Sequence, residues 1–444
     1  MTQDYDIFKE YELEDEDWEL PESEEQSAFI AAVIRQKESD EESQESLDEL
    51  ERLADTAGIA ILGRYTQKRA QPDTSTYFGK GFLEELAHKL FGAKADYLII
   101  NDELSPVQAR NIEKTFAIQV IDRTELILSI FHRHAKTKEA KLQVKLAELE
   151  YQLPRLKRLW GHFDKERGSG RASGGMATRG MGEKQIEIDR RLIRTQIRKI
   201  NDAIDRISKH KETQRKQREQ SLKLCLVGYT NAGKSTLFNR LTDAGVLVED
   251  MLFATLDSTS RQLKLSTGAP VVISDTVGFI SKLPHHLVAS FRATLMEVVD
   301  ADLLLHVVDI SDLRHDYYIE QVESVLQSIG ASQIPQILVL NKSDLIDDNL
   351  VKLLSLHHQG AVAISAAEGS NIPQLLEAVE KQLLDNQILS LKLPYAQTAL
   401  VSRLHEIGKI ETEDYREDGI YLKVKLPAKE RHWVEEYILE SEID

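Results

Sequence analysis

The most constraining feature of this chain is a glycine-rich segment between a predicted strand and a predicted helix. Residues 228–236 read GYTNAGKST, which matches the phosphate-binding pattern G-x-x-x-x-G-K-[ST] in full. The apolar run at 222–227 predicts a buried strand before it, and the residues from 236 onward predict a helix after it. Glycines let backbone N–H groups turn towards a phosphate, and the helix N-terminus adds partial positive charge. The sequence therefore predicts an α/β P-loop domain that binds a nucleotide.

Two side chains of this loop have specific predicted roles. We expect Lys234 to contact the outer phosphates and Ser235 to ligate Mg²⁺ through its hydroxyl. The predicted nucleotide-binding residues of the loop are Gly228, Tyr229, Thr230, Asn231, Ala232, Gly233, Lys234, Ser235 and Thr236.

Three further motifs predict that the nucleotide is GTP or GDP. Asp275 begins a D-x-x-G motif at a strand end, where it holds Mg²⁺ through water and the Gly278 N–H meets the γ-phosphate. Asp344 ends an N-K-x-D motif that resembles the guanine-reading motif of GTPases, and adenine does not present matching donors. The SAA segment at 365–367 resembles the last motif, where a backbone N–H meets guanine O6. The predicted residues are Asp275, Thr276, Val277, Gly278, Asn341, Lys342, Ser343, Asp344, Ser365, Ala366 and Ala367.

The segment between the P-loop and D-x-x-G is the expected position of switch I. Thr255 is the predicted second Mg²⁺ ligand, and Thr259 is the alternative. The predicted switch I residues are Phe253, Ala254, Thr255, Leu256 and Asp257. The predicted catalytic residues for GTP hydrolysis are Lys234, Thr255, Asp275 and Gly278.

Phe279 follows D-x-x-G, where Ras-like proteins have a glutamine that orients the attacking water. A phenyl ring cannot do this, so we expect slow intrinsic hydrolysis. Asn231 resembles the asparagine of GTPases that use K⁺ beside the phosphates. We expect its amide oxygen to help hold K⁺, which would replace an arginine finger.

Charge is concentrated at the N-terminus. Residues 1–50 contain 19 acidic and 3 basic side chains, and this excess accounts for most of the chain's net charge of −18. We predict an acidic disordered tail at 1–50, with a short helix at 27–36 as the only structured stretch. Strand and helix signals then alternate through 51–136 and predict a small α/β subdomain with a partly parallel sheet. We place the GTPase domain, with a mixed and mostly parallel sheet, at 221–390. A small α+β domain follows at 391–444, with a last helix at about 428–438.

Residues 137–220 carry two apolar stripes with heptad spacing, which predict a long antiparallel helical hairpin. We expect a kink at Pro154 and a second helix at about 183–219, about 50 Å long at ~1.5 Å per residue. The stripe residues are Leu142, Leu146, Leu149, Leu153, Leu156, Trp160, Ile186, Ile193, Ile197, Ile200, Ile204 and Ile207.

The predicted connection at 161–182 is rich in glycine and arginine and longer than most helix–helix connections. Trp160 and Phe163 add stacking faces, so the tip of the hairpin is a candidate site for folded RNA. The basic residues around it are Arg155, Lys157, Arg158, Lys165, Arg167, Arg171, Arg179, Lys184, Arg190, Arg191 and Arg194.

The sequence has no features of a secreted, membrane-spanning or disulfide-bonded protein. The N-terminus has no signal-peptide pattern, and no apolar run approaches a membrane span. Cys225 is the single cysteine, so no internal disulfide forms, and we expect it to be a small buried hydrophobe. These features predict a cytoplasmic protein.

From about residue 55 to 390 the chain resembles the HflX family of translational GTPases. The segments that carry the resemblance are YFGKG at 77–81, NDELSP at 101–106, VIDRT at 120–124, GHFDKERGSG at 161–170, GYTNAGKST at 228–236, FATLD at 253–257 and DTVGF at 275–279. Ser258 departs from the pattern, since a proline is expected there, and the acidic tail is long.

We expect a monomer. The resemblance implies a GTPase that binds the 50S subunit, with the hairpin reaching 23S rRNA. It implies ribosome-stimulated GTP hydrolysis, the splitting of stalled or idle 70S ribosomes, and ATP binding through the N-terminal region. The alternatives are a ribosome-assembly or RNA-modification GTPase, an ATP-dependent rRNA remodeller working through residues 55–220, and a scaffold whose GTP site is only structural.

Overall fold

The computed structural model divides into two compact units, one containing residues up to Arg133 and the other containing His134–Leu156 and the chain from Gly174. The structure describes residues 26–36, 39–156, 177–216, 222–242, 251–253, 259–266, 270–282, 292–384, 389–407, 409–416, 418–425 and 433–439.

The first unit is a parallel four-stranded sheet with helices between its strands. The strand order is β2-β1-β3-β4. Its elements are β1 Gln26–Arg35, α1 Asp40–Thr56, β2 Ile59–Arg69, α2 Lys80–Ala93, β3 Tyr97–Ile100, α3 Pro106–Phe116, β4 Gln119–Asp122 and α4 Arg123–His134. The helix starts follow local capping rules: Ser105 caps α3 with a reciprocal bond to Gln108, and Pro106 opens the helix.

The predicted disordered tail at 1–50 is wrong for its second half. Residues 27–36 are not a helix: β1 is a central strand, paired on both edges, and its residues 28–34 are all buried. The prediction rested on the net charge of all fifty residues, which concealed the apolar run at 28–34. A strand that is buried on both faces requires such a continuous apolar run. Glu and Asp residues at 40–42 form the first turn of α1, where they favour the helix dipole.

The two apolar stripes pack against each other in the second unit. The helices are α5 Lys138–Gln152 and α6 Ala177–Lys216, and their shared cluster centres on Leu142, Leu146, Leu149 and Ile200. α5 ends before Pro154, which lies in a 3₁₀ turn at Leu153–Arg155. α6 begins at Ala177, inside the predicted loop 161–182, so Gly180 and Gly182 lie within the helix although glycine disfavours it.

The hairpin connection mostly lies outside the described residues, which resume at 177 after 156. Arg155 differs from the expectation of an exposed basic side chain. It is buried over the Tyr151 ring at 3.6 Å and donates to the Tyr151 carbonyl oxygen at 3.1 Å, so it packs on the end of α5 and is not exposed to solvent.

The P-loop region forms a six-stranded sheet in the order β10-β9-β8-β5-β7-β6, parallel except for β6. This confirms the predicted α/β class with a mixed, mostly parallel sheet. Its elements are β5 Leu222–Gly228, α7 Lys234–Thr242, β6 Thr259–Lys264, β7 Pro270–Asp275, α8 Arg292–Val299, β8 Leu303–Asp309, α9 His315–Ser328, β9 Gln336–Asn341, α10 Asp348–His357, β10 Val362–Ala363 and α11 Ile372–Leu384.

The C-terminal part is a three-stranded antiparallel sheet in the order β11-β13-β12, with one helix against it. The elements are β11 Leu389–Leu393, α12 Thr398–Ile407, β12 Lys409–Arg416 and β13 Gly419–Lys425. The predicted last α-helix is not found in its described part: residues 435–437 form a single 3₁₀ turn, and Ile438 pairs with Leu391 on the sheet edge.

Among the helices that the structure describes, none combines the length and apolarity needed to cross a bilayer. Cys225 is buried in β5, as predicted, and burial raises the pKa of its thiol well above the ordinary value.

We predict that Ala31→Asp strongly destabilises the first unit. Ala31 is fully buried in β1, so the new carboxylate would be an unpaired buried charge costing about 3 kcal/mol or more. Ala60→Asp is the matched control, since Ala60 is exposed on β2 and should change the free energy of unfolding by less than about 0.5 kcal/mol. Urea unfolding read by hydrogen exchange in β1 and β3 measures both variants. Equal protection in both variants would contradict the assignment of β1 as a core strand.

Candidate guanine-nucleotide site

The P-loop connects β5 to α7 at the carboxyl edge of the sheet, and its glycines are sterically required. Gly228 has a φ of +154°, and a Cβ there would lie 2.2 Å from the Val307 carbonyl oxygen. Gly233 has a φ of +90°, and a Cβ there would lie 2.2 Å from Asn341 Nδ2. Any side chain at either position would displace a neighbouring element.

Lys234 is the first residue of α7, and its side chain is buried against the P-loop. Its Nζ donates to the carbonyl oxygens of Gly228 at 3.1 Å and Tyr229 at 2.7 Å. Burial lowers its pKa to about 8. Burial and the nearby Lys234 charge also lower the pKa of His306 to about 4, so that imidazole is neutral at pH 7. A phosphate beside Lys234 would favour the ammonium form, so this lysine is poised to bind an anion.

Ser235 and Asp275 meet as a magnesium site requires. The Ser235 hydroxyl donates to Asp275 Oδ2 at 2.7 Å, and Asp275 is fully buried at the end of β7. A hydroxyl and a carboxylate are oxygen donors of the kind that Mg²⁺ prefers. The neighbouring Thr276 hydroxyl donates to the Leu226 carbonyl oxygen at 2.6 Å, so its side chain joins β7 to β5.

The D-x-x-G segment lies directly on the P-loop. The Phe279 N–H donates to the Gly228 carbonyl at 3.1 Å, and the Thr230 N–H donates to the Phe279 carbonyl at 2.8 Å. A Cβ at Gly278 would lie 2.8 Å from Thr230 Cα and 3.0 Å from Lys234 Nζ. The Thr230 hydroxyl is buried and makes no hydrogen bond to any described residue. A polar group is therefore available between the two motifs.

Asn341 joins the P-loop to the guanine-side loop. Its side chain is buried, Nδ2 donates to the Ala232 carbonyl at 2.8 Å, and Oδ1 accepts from the Ala366 N–H at 3.0 Å. Lys342 has a φ of +62°, and its ammonium pairs with Asp309 Oδ2 at 2.7 Å. Asp344 lies in a 3₁₀ turn beside them and is exposed.

Switch I is described only at its edges. Residues 254–258, which include the predicted ligand Thr255 and the residues Ala254, Leu256 and Asp257, lie outside the described residues. Phe253 is buried with a φ of +58°. Thr259, the alternative magnesium ligand, begins β6 and is paired with Asp275 across the sheet.

Three further side chains, which sequence reasoning missed, support the site. Arg240 donates through Nε to the Ala366 carbonyl at 3.1 Å and through Nη2 to the Ala367 carbonyl. Asp309 pairs with Lys342, and the Tyr318 ring stacks on Tyr229 at 4.3 Å. Of these three, only Asp309 could have been found from the sequence, because it ends an apolar run that predicts a strand. Arg240 and Tyr318 contact partners that are distant in sequence.

Protein-family models match the chain in three consecutive segments. "GTP-binding GTPase N-terminal" matches residues 44–132, "GTP-binding GTPase Middle Region" matches 134–218, and "50S ribosome-binding GTPase" matches 223–342.

Curated relatives match along nearly the whole chain. The GTPase HflX of Caldanaerobacter subterraneus subsp. tengcongensis is 42% identical over 415 residues, which cover 93% of this chain and 94% of that protein. The GTPase HflX of Escherichia coli K12 is 42% identical over 389 residues, which cover 86% and 90%. The crystal structure of the SsGBP–GDP complex is 26% identical, covers 80% of this chain and 98% of that chain, and has a TM-score of 0.45. The chain is a GTP-hydrolysing enzyme and belongs to the HflX family of GTPases.

Proposed function

We propose that this GTPase binds the 50S ribosomal subunit through 23S rRNA and splits stalled or idle 70S ribosomes. The observation that carries the proposal is an exposed row of arginines on α6, in the same compact unit as the nucleotide site. The matched segment described as a 50S ribosome-binding GTPase supports the choice of the large subunit.

GTP would lie along the P-loop with its base beside Asp344. In this arrangement Lys234 would contact the β- and γ-phosphates, Ser235 would ligate Mg²⁺, and Asp275 would help to hold that ion. The Asp344 carboxylate accepts from guanine N1–H and the exocyclic amine. Because the Ala366 N–H already donates to Asn341, the Ala367 N–H is the donor proposed for guanine O6. Mg²⁺ supplies charge stabilisation on the transferring phosphoryl group.

The γ-phosphate is the signal that the switches report. The Gly278 N–H and the Thr255 hydroxyl would both be held while GTP and Mg²⁺ are present, and both would be released after hydrolysis. Gly278 lies against Thr230 and Lys234, so a change at the γ-phosphate reaches the D-x-x-G segment by direct contact. The energy for subunit separation comes from binding in the GTP state, with no covalent step.

Hydrolysis proceeds without a glutamine at the water-orienting position. The Phe279 side chain is buried and its backbone is bonded to the P-loop, so this residue holds the switch but places no water. We propose that backbone groups of the switches or the ribosome orient the water. We also propose that K⁺, held by the Asn231 amide oxygen, neutralises charge on the phosphates. Asn231 has a φ of +62°, a conformation that asparagine tolerates well.

The arginine row is suited to RNA phosphates. Arg191, Arg194 and Arg198 are exposed and spaced three and four residues apart, so they share one face of α6. Guanidinium groups bind phosphates in a bidentate manner, and a rigid helix holds several of them at fixed spacing. Such contacts fix the position of a protein on RNA and make binding depend on salt.

We predict that Arg191→Gln/Arg194→Gln weakens 50S binding about tenfold or more and abolishes 70S splitting, because two phosphate contacts are lost. Lys352→Gln/Lys381→Gln removes the same charge from exposed sites elsewhere in the unit and is the matched control. Sucrose-gradient sedimentation with a GTP analogue, and with GDP, measures both properties, and hydrolysis without ribosomes should be unchanged. Equal losses in both double variants would contradict the arginine row. Association with immature particles alone would instead favour an assembly GTPase.

We predict that GTP hydrolysis is at least about fivefold faster in KCl than in NaCl at equal ionic strength. A cation held beside the phosphates stabilises charge that develops in the transition state. Asn231→Ala should remove the difference between the two salts, because the variant lacks the amide oxygen that holds K⁺. Its rate in NaCl should stay within about twofold of the wild-type rate in NaCl. Phosphate release measured in both salts gives the answer, and equal wild-type rates would eliminate the K⁺ proposal.

A further inference from the structure

Two histidines and an aspartate meet between α9 and α10, and none of them belongs to the predicted magnesium ligands. His315 is the first residue of α9, Asp316 follows it, and His358 directly follows the end of α10. One possible ligand atom from each of the three lies within 4.8 Å of the other two. His315 Nε2 is 3.8 Å from Asp316 Oδ2, and His358 Nε2 is 3.2 Å from Asp316 Oδ1.

The His315 ring is oriented from behind. Its Nδ1 lies 3.0 Å from the Asp312 carbonyl oxygen. A carbonyl only accepts hydrogen bonds, so Nδ1 carries the proton and the lone pair is on Nε2. A backbone carbonyl bonded to the second ring nitrogen is the usual support of a metal-binding histidine. His315 therefore presents a free electron pair towards the cluster.

The His358 ring also directs a nitrogen towards the cluster. Its Nε2 is buried and makes no hydrogen bond within the described part of the chain, since the 3.2 Å contact with Asp316 lacks hydrogen-bond geometry. A buried polar atom without a hydrogen bond is costly unless a ligand satisfies it. The His358 side chain is 18% exposed and that of Asp316 is 60% exposed, so an ion can enter from the carboxylate side.

The loop before α9 is held in place by its own polar contacts. Arg314 donates to Asp312 through Nε at 3.1 Å and through Nη2 at 3.0 Å, and the Tyr318 hydroxyl donates to Asp312 Oδ2 at 3.3 Å. These bonds fix the carbonyl that orients His315. A metal site gains affinity when its ligands are positioned before the ion arrives.

We propose that His315, Asp316 and His358 form a binding site for a divalent transition-metal ion, with Zn²⁺ as the preferred ion. Two imidazoles and one carboxylate are a donor set for zinc, whose Zn–N bonds are about 2.0–2.1 Å and whose ligands lie roughly 3.3 Å apart in a tetrahedron. The three ligand atoms lie within 4.8 Å of one another, which is wider than this spacing, so binding an ion requires side-chain rotations that draw them together. Water completes the coordination. Mg²⁺ prefers oxygen donors and stays at the nucleotide site.

The ion would connect the helices that follow two strands of the nucleotide site. α9 follows β8, which ends at Asp309, and α10 follows β9, which ends at Asn341. α9 also carries Tyr318, which stacks on Tyr229 of the P-loop. A ligand that binds only the folded state raises the unfolding temperature. Zn²⁺ should therefore stabilise the GTPase region against heating without contacting the nucleotide.

The test uses the full-length protein in excess GDP and Mg²⁺, so that the nucleotide site is occupied. Zn²⁺ is titrated against a chromogenic chelator, and Co²⁺ is used as a spectroscopic probe of nitrogen and oxygen ligation. Wild type should bind one ion per chain with a tetrahedral Co²⁺ spectrum and show a rise in unfolding temperature of several degrees.

His358→Gln and Asp316→Asn should weaken Zn²⁺ binding by about 100-fold or more, since even the loss of a group supporting a ligand costs 10- to 100-fold. Asp316→Asn is isosteric at an exposed position, so it keeps the fold. His405→Gln is the control, because His405 also pairs with a carboxylate, Glu413 at 3.1 Å, but belongs to no three-residue ligand group among the described residues. Wild-type binding no tighter than that of the two cluster variants, or equal loss in the control, would overturn the proposal.

Discussion

The nucleotide site depends on one buried carboxamide. The Asn341 side chain can donate and accept at the same time, and it does so between the Ala232 carbonyl of the P-loop and the Ala366 N–H of the guanine-side loop. Its position also explains why residue 233 is glycine, since a Cβ there would meet Asn341 Nδ2 at 2.2 Å. One neutral side chain thus sets the distance between the phosphate and base halves of the site, at little electrostatic cost.

The P-loop is held on its other side by the start of switch II. Reciprocal backbone bonds between the P-loop and Phe279, and the hydrogen bond from the Ser281 N–H to the Tyr229 hydroxyl at 2.6 Å, tie the two segments. The buried Phe279 ring takes the place of a polar residue that would orient water. Phe279 therefore links the phosphate loop to switch II, and its side chain is not available to position water.

The sequence was informative where structure follows from a short local pattern. The P-loop glycines and the Ser235–Asp275 pair are of this kind, and the apolar stripes of α5 and α6 followed from their spacing. It failed where a distant partner decides. The only sequence pattern that indicates β1 is a run of seven apolar residues inside an acidic segment. The strand forms because it pairs with β2 and β3 on its two edges. The sequence predicts that Arg155 is an exposed charge, and only the structure shows that it packs over the Tyr151 ring. The role of Arg240 depends on a loop more than a hundred residues away in the sequence.

The affinity of Asn341→Asp for GTP and GDP tests this account most directly. An aspartate can still accept from the Ala366 N–H but cannot donate to the Ala232 carbonyl, and it places a charge where the side chain is buried. The account predicts about a 100-fold loss of affinity for both nucleotides in a protein that remains folded by circular dichroism. Asn349→Asp, at an exposed position of α10, should bind them as wild type does. Affinity of Asn341→Asp within twofold of wild type would contradict the account.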